Sequence, residues 1–121
     1  MSTDPRHHLG RLGEQLAAEH LERLGYAIVA RNHRTRFGEL DLIACDGSTL
    51  VFCEVKTRRG SGDPWAALHD AKRSQVRRMA SAYLAETSDR PRVAHLRFDA
   101  IGVVVDPRGR LTRLDHVEGA F

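Results

Sequence analysis

Four ionisable residues near the middle of the chain are spaced for joint chemistry. Glu39 and Asp41, then Glu54 and Lys56, form two i, i+2 pairs within stretches 38–45 and 49–56, both rich in Leu, Ile, Val and Phe and both read as strands. Side chains two apart on a strand share a face, so each pair projects together. Asp46-Gly47-Ser48 between the stretches marks a short hairpin. Its register decides whether the pairs meet. A two-residue loop, with Cys45 opposite Ser48, or a four-residue loop, with Cys45 opposite Leu50, gathers all four side chains, and the four-residue form sets Asp41 against Glu54. A three-residue loop separates them. The same alternation places Cys45 on the Asp41 face and Cys53 on the reverse, which argues against a disulfide.

Three clustered carboxylates repel, and a divalent cation relieves that repulsion. Mg²⁺ binds a few carboxylate oxygens at about 2.1 Å and keeps water and substrate phosphate on its other positions, so two convergent acids suffice. Asp41 and Glu54 are those acids in every register that gathers the set, with Glu39 as a further ligand. Such an ion polarises a scissile phosphate and lowers the pKa of a water. Lys56 would then orient or deprotonate the attacking water, or offset charge on the phosphate oxygens. The competing arrangement is a cross-strand Glu39–Lys56 ion pair with Asp41 and Glu54 exposed at a strand end.

The surrounding charge suits a polyanionic substrate. Residues 31–36 carry three arginines and no acid, 37–55 carry four acids and no base, and 56–78 carry seven bases against two acids. Carboxylates for a cation thus lie between guanidiniums for phosphates. Arg34 and Arg36 lead into one strand, Arg58 and Arg59 leave the other, and Arg73, Arg77 and Arg78 extend the track, joined by Lys72. Of the 19 basic residues 17 are arginine, which singles out Lys56 and Lys72 as positions where a compact ammonium is wanted. Trp65 either stacks on an unpaired base or packs beneath a helix cap.

These residues need a frame of modest size. The 121 residues, 41% hydrophobic and 29% charged with net charge +3, fit one folded domain, with 1–7 expected to be flexible. No apolar run approaches a bilayer span and no signal peptide is evident, while two cysteines are too few for a disulfide scaffold. A cytoplasmic protein without membrane association is expected. An amphipathic helix over 9–24 carries Leu9, Leu12, Leu16, Ala17, Leu21 and Leu24 on one stripe, with Gly10 and Gly13 marking close approach to a sheet, Glu14 at its edge and His20 packed within it. Strands follow at 26–31, 38–45 and 49–56, then a loop over 57–62. A helix starting at Asp63-Pro64, either continuous or broken near His69-Asp70, runs to about Glu86 with Val76, Met79, Ala80 and Tyr83 inward, Lys72 one turn before them, and Arg73 and Arg77 outward. Strands at 95–105 and 111–117 flank a turn at Asp106-Pro107-Arg108-Gly109. The expected class is α/β, a single α-β-β-β-α-β-β domain with a mixed central sheet.

Asp41 followed by Glu54-Val55-Lys56 resembles the D...(D/E)-x-K signature of the PD-(D/E)-x-K nuclease superfamily. With Gly10-x-x-Gly13-Glu14, Arg31-Asn32, the run from Gly38 to Ala44, Val51-Phe52 and Arg97-Phe98-Asp99, the chain resembles the bacterial YraN-like family over nearly its whole length, a family similar to archaeal Holliday junction resolvases. The resemblance implies a restriction-endonuclease-like fold, metal binding by Asp41 and Glu54, a catalytic Lys56, and Glu14 as an additional helix-borne catalytic acid. Leu40 replaces the signature proline, and Lys72 stands where related exonucleases often carry a polar helix residue. The function expected is Mg²⁺-dependent hydrolysis of structured DNA at junctions, flaps or ends, with structured or single-stranded DNA as the partner, Mn²⁺ as a substitute and a homodimer as a possible assembly. The alternative is a noncatalytic nucleic-acid-binding accessory protein on the same fold.

Overall fold

The computed structural model describes residues 5–61, 63, 65 and 70–121, with the side chains of residues 5, 6 and 70–72 outside the description. Its elements are α1 (Pro5–Arg23), β1 (Ala27–Thr35), β2 (Gly38–Cys45), β3 (Thr49–Arg59), α2 (Asp70–Glu86), β4 (His95–Val105) and β5 (Leu111–Val117). The strands form one mixed sheet in the order β1-β2-β3-β4-β5, antiparallel except for the parallel β3–β4 pair that α2 connects. This is the expected α/β order, consistent with a restriction-endonuclease-like fold. No helix among the described residues is long and apolar enough to cross a membrane.

Two apolar layers sandwich the sheet. On one face Ala17, Ala18 and Leu21 of α1 pack against Leu42, Ala44, Val51, Cys53, Val55, Ile101, Val103 and Val105. On the other, Val76, Met79, Ala80 and Tyr83 of α2 cover Leu40, Ile43, Leu50 and Phe52. The helical stripes and the period-two strand pattern thus meet as their sequence spacing requires.

Three boundaries differ from expectation. The first helix starts at Pro5 rather than Leu9, and Gly25, at φ +99°, ends it where a left-handed residue lets the Tyr26 N–H reach back to the Leu21 carbonyl at 3.0 Å. The first strand continues to Thr35 because β2 pairs with it as far as Thr35–Gly38. The third strand runs through Arg59, past the loop expected from residue 57, because β4 pairs with it as far as Arg59–Val105. Helix α2 is described from Asp70. At the expected start, the Trp65 N–H donates to Asp63 Oδ1 at 2.9 Å, while Pro64 lies outside the described residues.

The hairpin register is the four-residue form, with Cys45 opposite Leu50 and Leu42 opposite Cys53. Cys53 lies in the α1-side core and Cys45 packs against the α2-side core, so both thiols are free and face opposite ways. Strict alternation along β2, however, does not hold. Leu40 joins the α2-side layer and Leu42 the α1-side layer, although they are two residues apart. The opposing segment of β1 holds Asn32 at φ +52°, between the Arg31–Leu42 and His33–Leu40 pairs. The expectation that Cys45 shares the Asp41 face is therefore corrected: the pleat changes side between them.

Candidate active site

Asp41 sits where β2 and β3 part. The β2–β3 ladder extends from Cys45–Leu50 to Leu42–Cys53, and beyond it Asp41 Oδ2 accepts the Val55 N–H at 2.8 Å. A side-chain acceptor has taken the place of a strand carbonyl, and β3 continues alongside β4 alone.

Into this opening α1 delivers Glu14. Helix and sheet approach closely because Gly13 has no side chain: a Cβ there would collide with Thr57 of β3. Gly10, the other glycine expected at a close approach, has open space beside it. Ligand oxygens of Glu14, Glu39 and Asp41 all lie within 4.8 Å of one another. Burial pushes the Glu14 carboxyl above its ordinary pKa; Arg11 and a hydrogen bond from Asn32 oppose this, and the charges of Glu39 and Glu54 reinforce it. Arg11 Nη1 stands 3.7 Å from Glu14 Oε1, and Arg34 Nη2 stands 3.5 Å from Glu39 Oε2.

Glu54 is not a member of this trio. It is 4% exposed, lies between the α1-side core residues Cys53 and Val55, and places Oε1 3.7 Å from Lys56 Nζ. Lys56 keeps 30% of its side chain exposed. The cross-strand pair weighed for Glu39 does not form with Lys56; Glu39 faces Arg34 instead.

The trio suits a hard divalent cation. Its donors are all carboxylate oxygens, and Glu14 is held among like charges. Beside them the buried Asn32 Oδ1 has no hydrogen-bond partner among the described residues. Two clefts adjoin Glu14: one of about 330 Å³ lined by Gly10, Arg11, Asn32, Arg34 and Glu39, the other of about 380 Å³ lined by Val55, Thr57, Arg58 and Arg59.

The arginines expected to hold phosphate divide into two groups. Arg34 and Arg58 line the clefts at the acidic trio, as does Arg59, whose Nη1 is tied to the Asp106 and Pro107 carbonyls at 3.0 Å. Arg36 and Arg77 instead line a cleft on the α2 side, and Arg73 is exposed on α2. The Lys72 side chain lies outside the described residues. Asn32 escaped the reading of the residues for chemistry because its role depends on a left-handed backbone within a strand, which no local residue pattern announces. Arg11 carries no signal beyond its helical spacing from Glu14.

This site belongs to a chain with many near relatives. Residues 13–103 match the family model described as "Uncharacterised protein family UPF0102". A UPF0102 protein of Pelotomaculum thermopropionicum is 44% identical, covering 98% of both chains. UPF0102 protein STH1475 of Symbiobacterium thermophilum is 50% identical over 93% of this chain and 95% of the relative, and a UPF0102 protein of Nocardia farcinica is 48% identical over 93% and 88%. Matched from within α1 through α2 and into β4, the chain belongs to the UPF0102 family.

Proposed function

We propose that the opening between β2 and β3 is a metal-dependent phosphodiesterase site acting on structured DNA, at junctions, flaps or ends. The observation that carries this reading is the convergence of Glu14, Glu39 and Asp41 from a helix and a strand beside the Glu54–Lys56 pair. An all-oxygen donor set selects Mg²⁺ or Mn²⁺ over softer metals. Asp41 anchors the set because its carboxylate is already fixed by Val55 N–H, and Glu14 and Glu39 complete it. Glu54 adds negative charge at the same opening and holds Lys56 close to it. When bound, the cation polarises the scissile phosphate and acidifies an attacking water. Lys56 Nζ orients that water or offsets charge on the phosphate oxygens, while Arg34 and Arg58 hold flanking phosphates. Resemblance to the PD-(D/E)-x-K signature supports the same assignment. With these arginines holding phosphates rather than reading base edges, selection would be by DNA structure rather than sequence.

The test is a panel of labelled four-way junctions, flaps, duplexes, single strands and RNA incubated with Mg²⁺ or Mn²⁺. Metal-dependent cleavage of a branched or ended DNA that is lost in Lys56→Ala is expected. Binding without cleavage of any substrate would favour the noncatalytic accessory role.

A further inference from the structure

A cleft of about 520 Å³ lies on the opposite side of the β1–β2 turn from the acidic trio, between that turn and α2. Arg36, Phe37, Arg77 and Arg78 line it, with Ala82 and Ala85 contributing apolar floor and Glu86 the one carboxylate among the described lining residues. The turn that carries Phe37 is fixed on three sides. Thr35 Oγ1 donates to the Gly38 carbonyl at 2.8 Å and accepts the Phe37 N–H at 3.1 Å, and Gln75 Nε2 donates to the Phe37 carbonyl at 2.9 Å. Gly38, at φ +134°, permits that approach, since a Cβ there would come within 2.7 Å of Gln75 Nε2. The Arg36 guanidinium lies 4.8 Å from the Phe37 ring centroid, giving a layered π surface at the mouth of the cleft.

We propose that this cleft binds an unpaired segment of single-stranded nucleic acid, with a base stacked on the Arg36–Phe37 layer and its phosphates on Arg77 and Arg78. Among the described lining residues three guanidiniums stand against one carboxylate, with Arg77 Nη2 already donating to the Phe121 backbone oxygen at 2.8 Å; this balance favours a polyanion, and the apolar floor with its aromatic edge adds a preference that phosphate contacts alone do not supply. A duplex offers phosphates but keeps its bases stacked inside, whereas an unpaired base can lie against an aromatic ring or a guanidinium plane. Because the turn is held before any ligand arrives, little ordering is required on binding. Arg34 and Glu39 line the acidic cleft and Arg36 and Phe37 line this one. The two clefts thus adjoin across the two-residue turn Arg36–Phe37. The inference therefore rests on the proposed nuclease site only for its consequence, that an unpaired strand next to the scissile phosphate crosses the turn and is held beyond it.

The experiment measures fluorescence anisotropy of the full chain with a fluorescein-labelled oligothymidylate of about ten nucleotides and with a blunt duplex, in EDTA so that cleavage plays no part. Phe37→Ala removes the stacking ring. Ser81→Glu, at an exposed position in the same cleft, adds a carboxylate without removing core packing and covers the case in which the Phe37 variant folds poorly. Each is expected to weaken single-strand binding by roughly tenfold and duplex binding by less than about twofold. Absence of single-strand binding by the parent, no loss in a folded variant, or an equal loss for the duplex overturns the proposal. If the parent cleaves nothing with Mg²⁺ or Mn²⁺ and the selective loss still occurs, the cleft stands and the nuclease function falls; cleavage with no selective loss gives the reverse.

Discussion

Glu14 carries the conflict between stability and chemistry most plainly. Burial and the neighbouring charges of Glu39 and Glu54 raise its pKa in the folded chain, with Arg11 and Asn32 only partly offsetting them. The folded state therefore holds the Glu14 proton to higher pH than the unfolded state, and stability contributed by this group falls as pH rises from the ordinary carboxylate value through the raised one. Glu14→Gln is expected to melt higher than the parent at pH 7 without divalent ions. Mn²⁺ should raise the melting temperature of the parent more than that of Glu14→Gln, a comparison that scanning calorimetry with and without EDTA provides. Equal Mn²⁺ responses would remove Glu14 from the metal set. At this scale Glu39, Asp41, Glu54 and Lys56 were legible because strand spacing is local. The division into a carboxylate trio and a Glu54–Lys56 pair was not, since it depends on a pleat that changes side opposite Asn32 and on Asp41 capturing the Val55 N–H.

The elements owe their placement to a few close approaches, of which α1 against β3 bears most directly on the site. Gly13→Ala inserts a methyl into the space of Thr57 and pushes the helix that carries Glu14 away from the sheet. Overpacking of this kind costs about 1–3 kcal/mol, more than the roughly 1 kcal/mol of helix propensity gained. Urea unfolding is expected to show a lower midpoint with an unchanged slope, and Mn²⁺ affinity should fall alongside it. An unchanged midpoint would mean that the helix has room to move. Strands β2, β4 and β5 match their expected limits because turn residues bound them: Asp46 Oδ1 accepts the Ser48 and Thr49 N–H groups at 2.8 Å, and Asp106 Oδ1 accepts those of Arg108 and Arg110 at 2.8 and 2.9 Å. The end of β3 was hidden because residues 57–59 are polar and are held in the strand by pairing with the distant β4.

Across the whole molecule, a polar network closes the sheet at the start of β4. Asp99, 0% exposed, accepts both Arg97 Nε and Nη2 at 2.8 Å, His116 Nε2 at 2.7 Å and the Gly119 N–H at 3.1 Å, while Arg97 Nη2 also donates to the Tyr26 hydroxyl at 2.8 Å. Burial pushes the Asp99 carboxyl upward, and the hydrogen bonds from His116, Arg97 and Gly119 outweigh it and hold its pKa below the ordinary value. Its contribution is present above the unfolded carboxylate pKa and is lost as pH falls through the depressed folded value. Asp99→Ala leaves Arg97 without its principal partner and is expected to cost about 3 kcal/mol, read from chemical denaturation at neutral pH. His116 Nδ1 lies 3.0 Å from His20 Nε2, and burial, with His116 and Arg23 nearby, lowers the His20 pKa. The unfolded chain thus takes up a proton at His20 before the folded one does, so stability declines as pH drops below about 6.5. That decline should flatten in His20→Gln; an unaltered slope would assign it to other groups. The packed His20 was legible from its place on the α1 stripe, but its partner lies 96 residues away in β5.

The proposed hydrolytic role of the acidic opening is tested most directly at Lys56, in a chain that otherwise uses arginine for charge at nearly every position. Arginine keeps the positive charge, but it is bulkier and its planar guanidinium does not act as a base. Single-turnover cleavage of the best DNA from the substrate panel, at fixed salt and Mg²⁺ and with protein in excess of its Kd, compares the parent with Lys56→Arg at matched occupancy. The expected result is equal DNA affinity and a rate at least about a hundredfold lower in Lys56→Arg, the scale of a lost acid–base group. Equal cleavage rates, or binding by both proteins with cleavage by neither, would contradict a catalytic Lys56.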